Sequence, residues 1–153
     1  MSSTQTSVEA VRKSLVVNCT PERAFEVFTR EIGTWWPTHS CHSIGGDKIT
    51  DVVFEERVGG RIYECHDDGS EHDWGSVVVW EPPARFVMKW HPGRDDSRAT
   101  ELEVRFAAEG DGTRVDLEHH GWELYAEEAA ETRASYDSGW GTVLGHYERK
   151  LNG

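Results

Sequence analysis

The side chains able to do chemistry concentrate in "WWPTHSCHSIGG", the stretch from Trp35 to Gly46. His39, Cys41 and His42 fall within four positions there, directly after two tryptophans and a proline. Imidazole and thiolate are zinc ligands, and a structural zinc needs four of them. Cys65 and His66 supply a further pair that folding could bring near. No finger, ribbon or zinc-hydrolase spacing links these residues, so no metal is expected. A Cys41 thiolate activated by His39 or His42 is open chemically, and so is a plain polar loop. The preferred reading makes Trp35, Trp36, His39 and His42 the rim of an apolar pocket.

Elsewhere the catalytic grammar is thin. There is no G-x-S-x-G elbow, no glycine-rich phosphate loop and no nucleophile beside an identifiable base. Glu55 and Glu56 are adjacent on an expected strand, so they point to opposite faces and make no facing carboxylate pair. No cofactor is implied.

The elements that must position these residues are legible. Val11 to Cys19, "VRKSLVVNC", is a β-rich run. "TPERAFEVFTREI" comes next with a helix start: Thr20 to cap, Pro21 at the first helical position and Glu22 at the positive end of the dipole. Ala24, Val27, Phe28 and Ile32 recur at helical spacing, and Gly33 and Pro37 leave room for only a short second turn of helix beyond them. From Lys48 onward six short strand-like runs are separated by "GG", "DDG", "PP", "PGRDD" and "EGDG", connections brief enough for an antiparallel meander. The tail "AEEAAETRASYDSGWGTVLGHYERKL" reads as one long helix, with Tyr136, Trp140, Val143 and Tyr147 three or four apart. Gly139, Gly141 and Gly145 interrupt it. Close backbone packing is the readier explanation for any one of them, but three together favour an internal void.

Alternation in the strands places Phe86, Met88 and Trp90 on one face, with Leu102, Val104, Phe106, Leu117 and His119. This one-sided apolar sheet needs a cover, and the terminal helix with Tyr136 and Trp140 supplies it. Most of these residues are core by default. His119 is the titratable exception. It reads first as a hydrogen-bonded core histidine, and alternatively as an acid or base facing a ligand. Tyr63 and Tyr136 are further candidates for orienting a polar group.

Composition narrows the partners. The chain has 153 residues, enough for one domain: residues 1–10 are expected to be a flexible N-terminus and 11–153 a single folded unit. Sixteen basic against 28 acidic residues give a formal charge of −12, which argues against a nucleic-acid backbone or an anionic membrane surface as partner. Three separated cysteines make a poor disulfide framework and fit a reducing compartment. No apolar run is long enough to span a bilayer, and "MSSTQTS" lacks signal-peptide character. A soluble cytoplasmic protein with a small apolar or amphipathic ligand is expected, and a homodimer is open.

"GGRIYECHDDGSEHDWGSVVVWEPPARFVMKW" resembles the Gly-Gly-Arg, Trp-Gly, Trp-x-Pro-Pro and terminal Trp signature of heat-shock-protein-90 ATPase activator homologues. "TPERAFEVFT" and "SGWGTVLGHYERKL" look like the matching terminal pieces, so the resemblance spans about Val11 to Leu151. It implies the α+β helix-grip fold of the START-like, polyketide-cyclase-like superfamily: a seven-stranded curved antiparallel sheet wrapped around a long C-terminal helix, in the order β-α-α-β6-α. In that fold the segment after the first helix lies over a cavity entrance. Ile62 stands where an aromatic is common. The superfamily includes carriers, receptors, cyclases and co-chaperone domains, so three functions stay open. They are a small-molecule binder, a cyclase- or hydrolase-like enzyme using His119, and a stress-related module with a chaperone partner.

Overall fold

A computed structural model describes residues 9–37, 44–92 and 99–152. Its strands are β1 (Val11–Val17), β2 (Ile49–Phe54), β3 (Arg61–His66), β4 (Glu71–Glu81), β5 (Arg85–Trp90), β6 (Thr100–Glu109) and β7 (Gly112–His120), with helices α1 (Pro21–Thr29) and α2 (Ala129–Asn152). The strands form one antiparallel sheet in the order β1-β7-β6-β5-β4-β3-β2. This is the helix-grip, START-like architecture: a meander, closed on one side by the first strand, with both helices on its apolar face.

Local chemistry accounts for the element boundaries. The Thr20 hydroxyl accepts a hydrogen bond from the Arg23 amide at 3.2 Å and caps α1, and Pro21 occupies the first turn. The expected second turn of α-helix is a three-residue 3-10 turn, Ile32–Thr34, because Gly33 and the approaching Pro37 do not sustain an α-helix. The long tail helix also starts later than its alanine-rich sequence suggests. Gly121, at φ +100°, opens a 3-10 segment over Trp122–Glu128, broken at Ala126 (φ 53°), and regular α-helix begins at Ala129. The kink turns α2 back across the sheet.

Gly75 explains the Trp-Gly pair in β4. A β-carbon at that position would fall 1.8 Å from the Lys89 carbonyl oxygen, so only glycine allows β4 to approach β5 so closely here. Gly141 and Gly145 behave differently. A β-carbon at Gly141 meets nothing within 4 Å, and at Gly145 only the Arg149 guanidinium at 3.7 Å. Close backbone packing is therefore not why these two are glycine.

Alternation along β5, β6 and β7 sends Phe86, Met88, Trp90, Leu102, Val104, Phe106, Val115, Leu117 and His119 into the core, all buried. The core is almost continuously aromatic. Phe25 and Phe28 of α1 meet Phe86 and Phe106 edge-on or tilted at 5.1–5.9 Å, the arrangement favoured by ring quadrupoles. Tyr147 of α2 packs on Phe28 and Trp35 at 5.0 and 5.1 Å and donates its hydroxyl to the Ala24 carbonyl at 2.7 Å, tying both helices together. Among the described residues no helix is long and apolar enough to cross a membrane.

Candidate functional site

A cavity of about 650 Å³ lies between the first half of α2 and the tryptophan-rich end of the sheet. Ser135, Tyr136, Ser138, Gly139, Trp140, Thr142 and Val143 line it from the helix; Trp36, Ile44, Trp90 and Pro92 line it from the opposite side. The helix contributes small and hydroxyl-bearing residues because Ser135, Ser138, Gly139 and Thr142 lie three or four apart on one face. Gly139 thus belongs to the wall of a void, the alternative that the glycine spacing left open.

Four tryptophans cluster at this end, three of them lining the cavity and Trp74 behind them. Trp36 contacts Trp74, Trp90 and Trp140 at centroid distances of 4.8, 6.0 and 5.7 Å; Trp90 contacts Trp74 and Trp140 at 5.7 and 5.4 Å. Behind them Trp35 donates its indole N–H to the Val27 carbonyl at 2.8 Å and is buried, so it buttresses the wall without lining the cavity.

His119 sits one layer further in. It is fully buried and both ring nitrogens are engaged. Nδ1 accepts the Trp140 indole N–H at 2.9 Å, which fixes the proton on Nε2, and Nε2 lies 2.6 Å from the Thr100 hydroxyl. That hydroxyl in turn donates to the Trp90 carbonyl at 3.3 Å. Burial, reinforced by neighbouring His120, lowers the imidazole pKa to about 3. Both ring nitrogens are engaged within the core, and His119 is not among the described residues that line the cavity. The structure places this histidine between Trp140 and Thr100, which it aligns.

The wall is completed by Glu64, a residue sequence reasoning overlooked. Its carboxylate is fully buried and accepts four hydrogen bonds: from the Ile44 and Gly45 amides at 2.8 and 2.7 Å, from Trp74 Nε1 at 2.7 Å and from His66 Nε2 at 2.5 Å. Burial alone raises its pKa; the bonds from Ile44, His66, Trp74 and Gly45 outweigh it and hold the carboxyl below the ordinary range. Glu64 therefore fixes Ile44, at the far end of the segment that comes after α1, onto the sheet. His66 is steadied by a stacked His72 ring at 4.0 Å. Strand parity was the available signal: Glu64 shares its face with buried Ile62.

The same parity removes Tyr63. It projects from the outer face of β3, where the Arg61 guanidinium lies 4.1 Å above its ring, so it cannot orient a ligand in this cavity. Cys65 shares Tyr63's outer face and does not converge with Glu64 and its partners. Phe86, Met88, Leu102, Val104, Phe106 and Leu117 are buried among other core side chains and do not line the cavity. They fill space that the sequence reading left available to a ligand. Trp36, Trp90, Tyr136 and Trp140 are the candidates the structure brings together around it. His39, Cys41 and His42 lie outside the described residues. Among the described residues no three His, Cys, Asp or Glu side chains are grouped to hold a metal ion.

Known proteins extend this picture. The family model described as Activator of Hsp90 ATPase homolog 1-like protein matches residues 18–149. Among solved structures, the anthrahydroquino-γ-pyrone synthase Txn09, complexed with SUM, is 37% identical over 86% of this chain and 88% of its own, with a TM-score of 0.59. The self-sacrificing resistance protein CalC from Micromonospora echinospora is 29% identical over 94% of each chain, with a TM-score of 0.70. The Aha1 dimer from Colwellia psychrerythraea shares the fold at 17% identity, covering 95% of this chain and 97% of its own, with a TM-score of 0.66. No curated protein matches the chain.

Proposed function

Because the chain belongs to the Activator of Hsp90 ATPase homolog 1-like family, we propose that it uses its START-like fold to bind a planar, largely apolar organic molecule between α2 and the tryptophan cluster. One observation carries the reading: four aromatic side chains from three parts of the chain, Trp36, Trp90, Tyr136 and Trp140, surround about 650 Å³ of space. A rigid polycyclic molecule fits such walls because it stacks without losing internal rotational freedom. Burying about 200 Å² of its apolar surface contributes on the order of 5 kcal/mol before association costs. The hydroxyls of Ser135, Ser138 and Thr142 suit a molecule with polar edges. The resemblance to a synthase named for an anthrahydroquino-γ-pyrone supports the same class of ligand.

The test is a titration of 1,8-dihydroxyanthraquinone into the full chain, monitored by tryptophan fluorescence. Saturable quenching is expected, weakened at least about tenfold in Ser138→Phe, which places a ring in the cavity from an exposed helix position. Non-saturable quenching of the wild type, or equal affinity in the variant, would sink the reading.

A further inference from the structure

Indole N–H groups in a dry core require acceptors, and this fold supplies them. Trp35 donates to the Val27 carbonyl, Trp74 to Glu64, Trp122 to the His119 carbonyl and Trp140 to His119 Nδ1, at 2.7–3.0 Å. Trp90 departs from the pattern. The residue is only 5% exposed, its Nε1 is shielded from solvent, and that nitrogen has no hydrogen-bond partner among the described residues.

The surroundings explain why no partner is at hand. The rings of Trp36, Trp74 and Trp140 pack around Trp90 and offer no lone pair in the plane of an indole N–H. The His119 ring centroid lies 6.3 Å from that of Trp90, but its Nδ1 is already taken by Trp140. Trp90 is nevertheless a wall of the cavity. A desolvated donor with no acceptor is destabilising in the empty protein, and a bound acceptor would relieve it.

We infer that the Trp90 indole N–H is the polar anchor of the pocket and selects ligands carrying a neutral ring carbonyl on a planar aromatic frame. The inference rests on the ligand-binding reading above and adds the feature that discriminates among ligands. The acceptor is neutral because, among the described residues, the lining carries no charged side chain to compensate a carboxylate or phosphate. Trp90 Nε1 is covered in this arrangement, so engagement requires local movement of the side chains around it.

Xanthone and xanthene test this, since they share a tricyclic frame and differ by the ring carbonyl. The wild type is expected to bind xanthone about tenfold more tightly than xanthene, the discrimination one hydrogen bond to a buried donor provides. Trp90→Phe keeps an aromatic wall without the N–H, and should bring the two affinities within about threefold. Equal binding of both by the wild type overturns the inference and leaves the pocket reading intact. A preference that persists in Trp90→Phe places the donor elsewhere and overturns it too. Binding of neither removes the pocket reading and this inference together. If the variant fails to fold, the indole ¹H–¹⁵N signal of Trp90 in the wild type decides. It should move on adding xanthone and stay in place with xanthene; a signal indifferent to xanthone overturns the assignment.

Discussion

The two ends of the aromatic core are built on different chemistry. Beneath α1, Phe25, Phe28, Phe54, Phe86 and Phe106 form a hydrocarbon cluster with the half-buried Trp80 ring at its edge. Beneath the first half of α2, Trp36, Trp74, Trp90, Trp122 and Trp140 surround His119 and Glu64. Phenylalanine needs nothing but contact, so the first end needs no buried acceptors. A buried indole brings an N–H that calls for an acceptor, and His119 and Glu64 supply one to Trp140 and Trp74 at the second end. The cavity opens at this second end. Phenylalanine there would have removed both the need for acceptors and the means of recognising a polar edge.

Substitutions at the two ends should therefore fail differently. The largest loss is expected at the hydrocarbon end. Phe86→Ala, at a fully buried position, should cost about 4 kcal/mol in urea unfolding through the cavity it leaves. Glu64→Gln comes next, at about 3 kcal/mol, because an amide offers one acceptor oxygen where four donors converge. Faster hydrogen exchange at the Ile44 and Gly45 amides would show that the segment has been released from β3. Trp140→Phe should cost about 2 kcal/mol, since it strands His119 Nδ1 without a donor. Trp90→Phe, which removes a donor already unmatched, should stay within about 1 kcal/mol of the wild type. Equal losses in the two tryptophan variants would break the contrast between matched and unmatched indoles.

The pH response sharpens the same comparison. His119 stays neutral when folded, with a pKa of about 3 against an ordinary value of 6.5. Between those values the unfolded chain binds a proton that the folded one does not. Its contribution is therefore fully present above pH 6.5 and is lost as pH falls toward 3, at about 1.4 kcal/mol per pH unit within that window. Urea unfolding at about pH 6, 5 and 4 should show a shallower decline in His119→Gln than in the wild type. Parallel declines would mean that the imidazole is not held neutral.

Much of this was legible in one dimension. The Thr20–Pro21 start, the turn residues after Lys48 and the alternation of Leu102, Val104 and Phe106 specify a helix and a one-sided meander, because capping and pleat act between near neighbours in the chain. The same alternation also spoke against Tyr63 and for Glu64, given that Ile62 faces the core. A titratable group at an inward position stands out when it is a histidine and is easily missed when it is a carboxylate.

What alternation could not settle is which inward residues meet space and which meet one another. Phe86 and Trp90 share a strand, a face and near-complete burial, yet only Trp90 borders the cavity. That difference comes from where α2 crosses after the kink at Ala126 and from which side chains project from it. The pairing of His119 with Trp140 and Thr100, and of Glu64 with Ile44, Gly45 and Trp74, joins residues about 10 to 21 positions apart. The sequence by itself determined the elements and their apolar faces, since these depend on local periodicity. Only the tertiary structure decided which donors are matched, where packing leaves a void and which indole borders it unpartnered, since each depends on side chains that meet through the packing of separate elements.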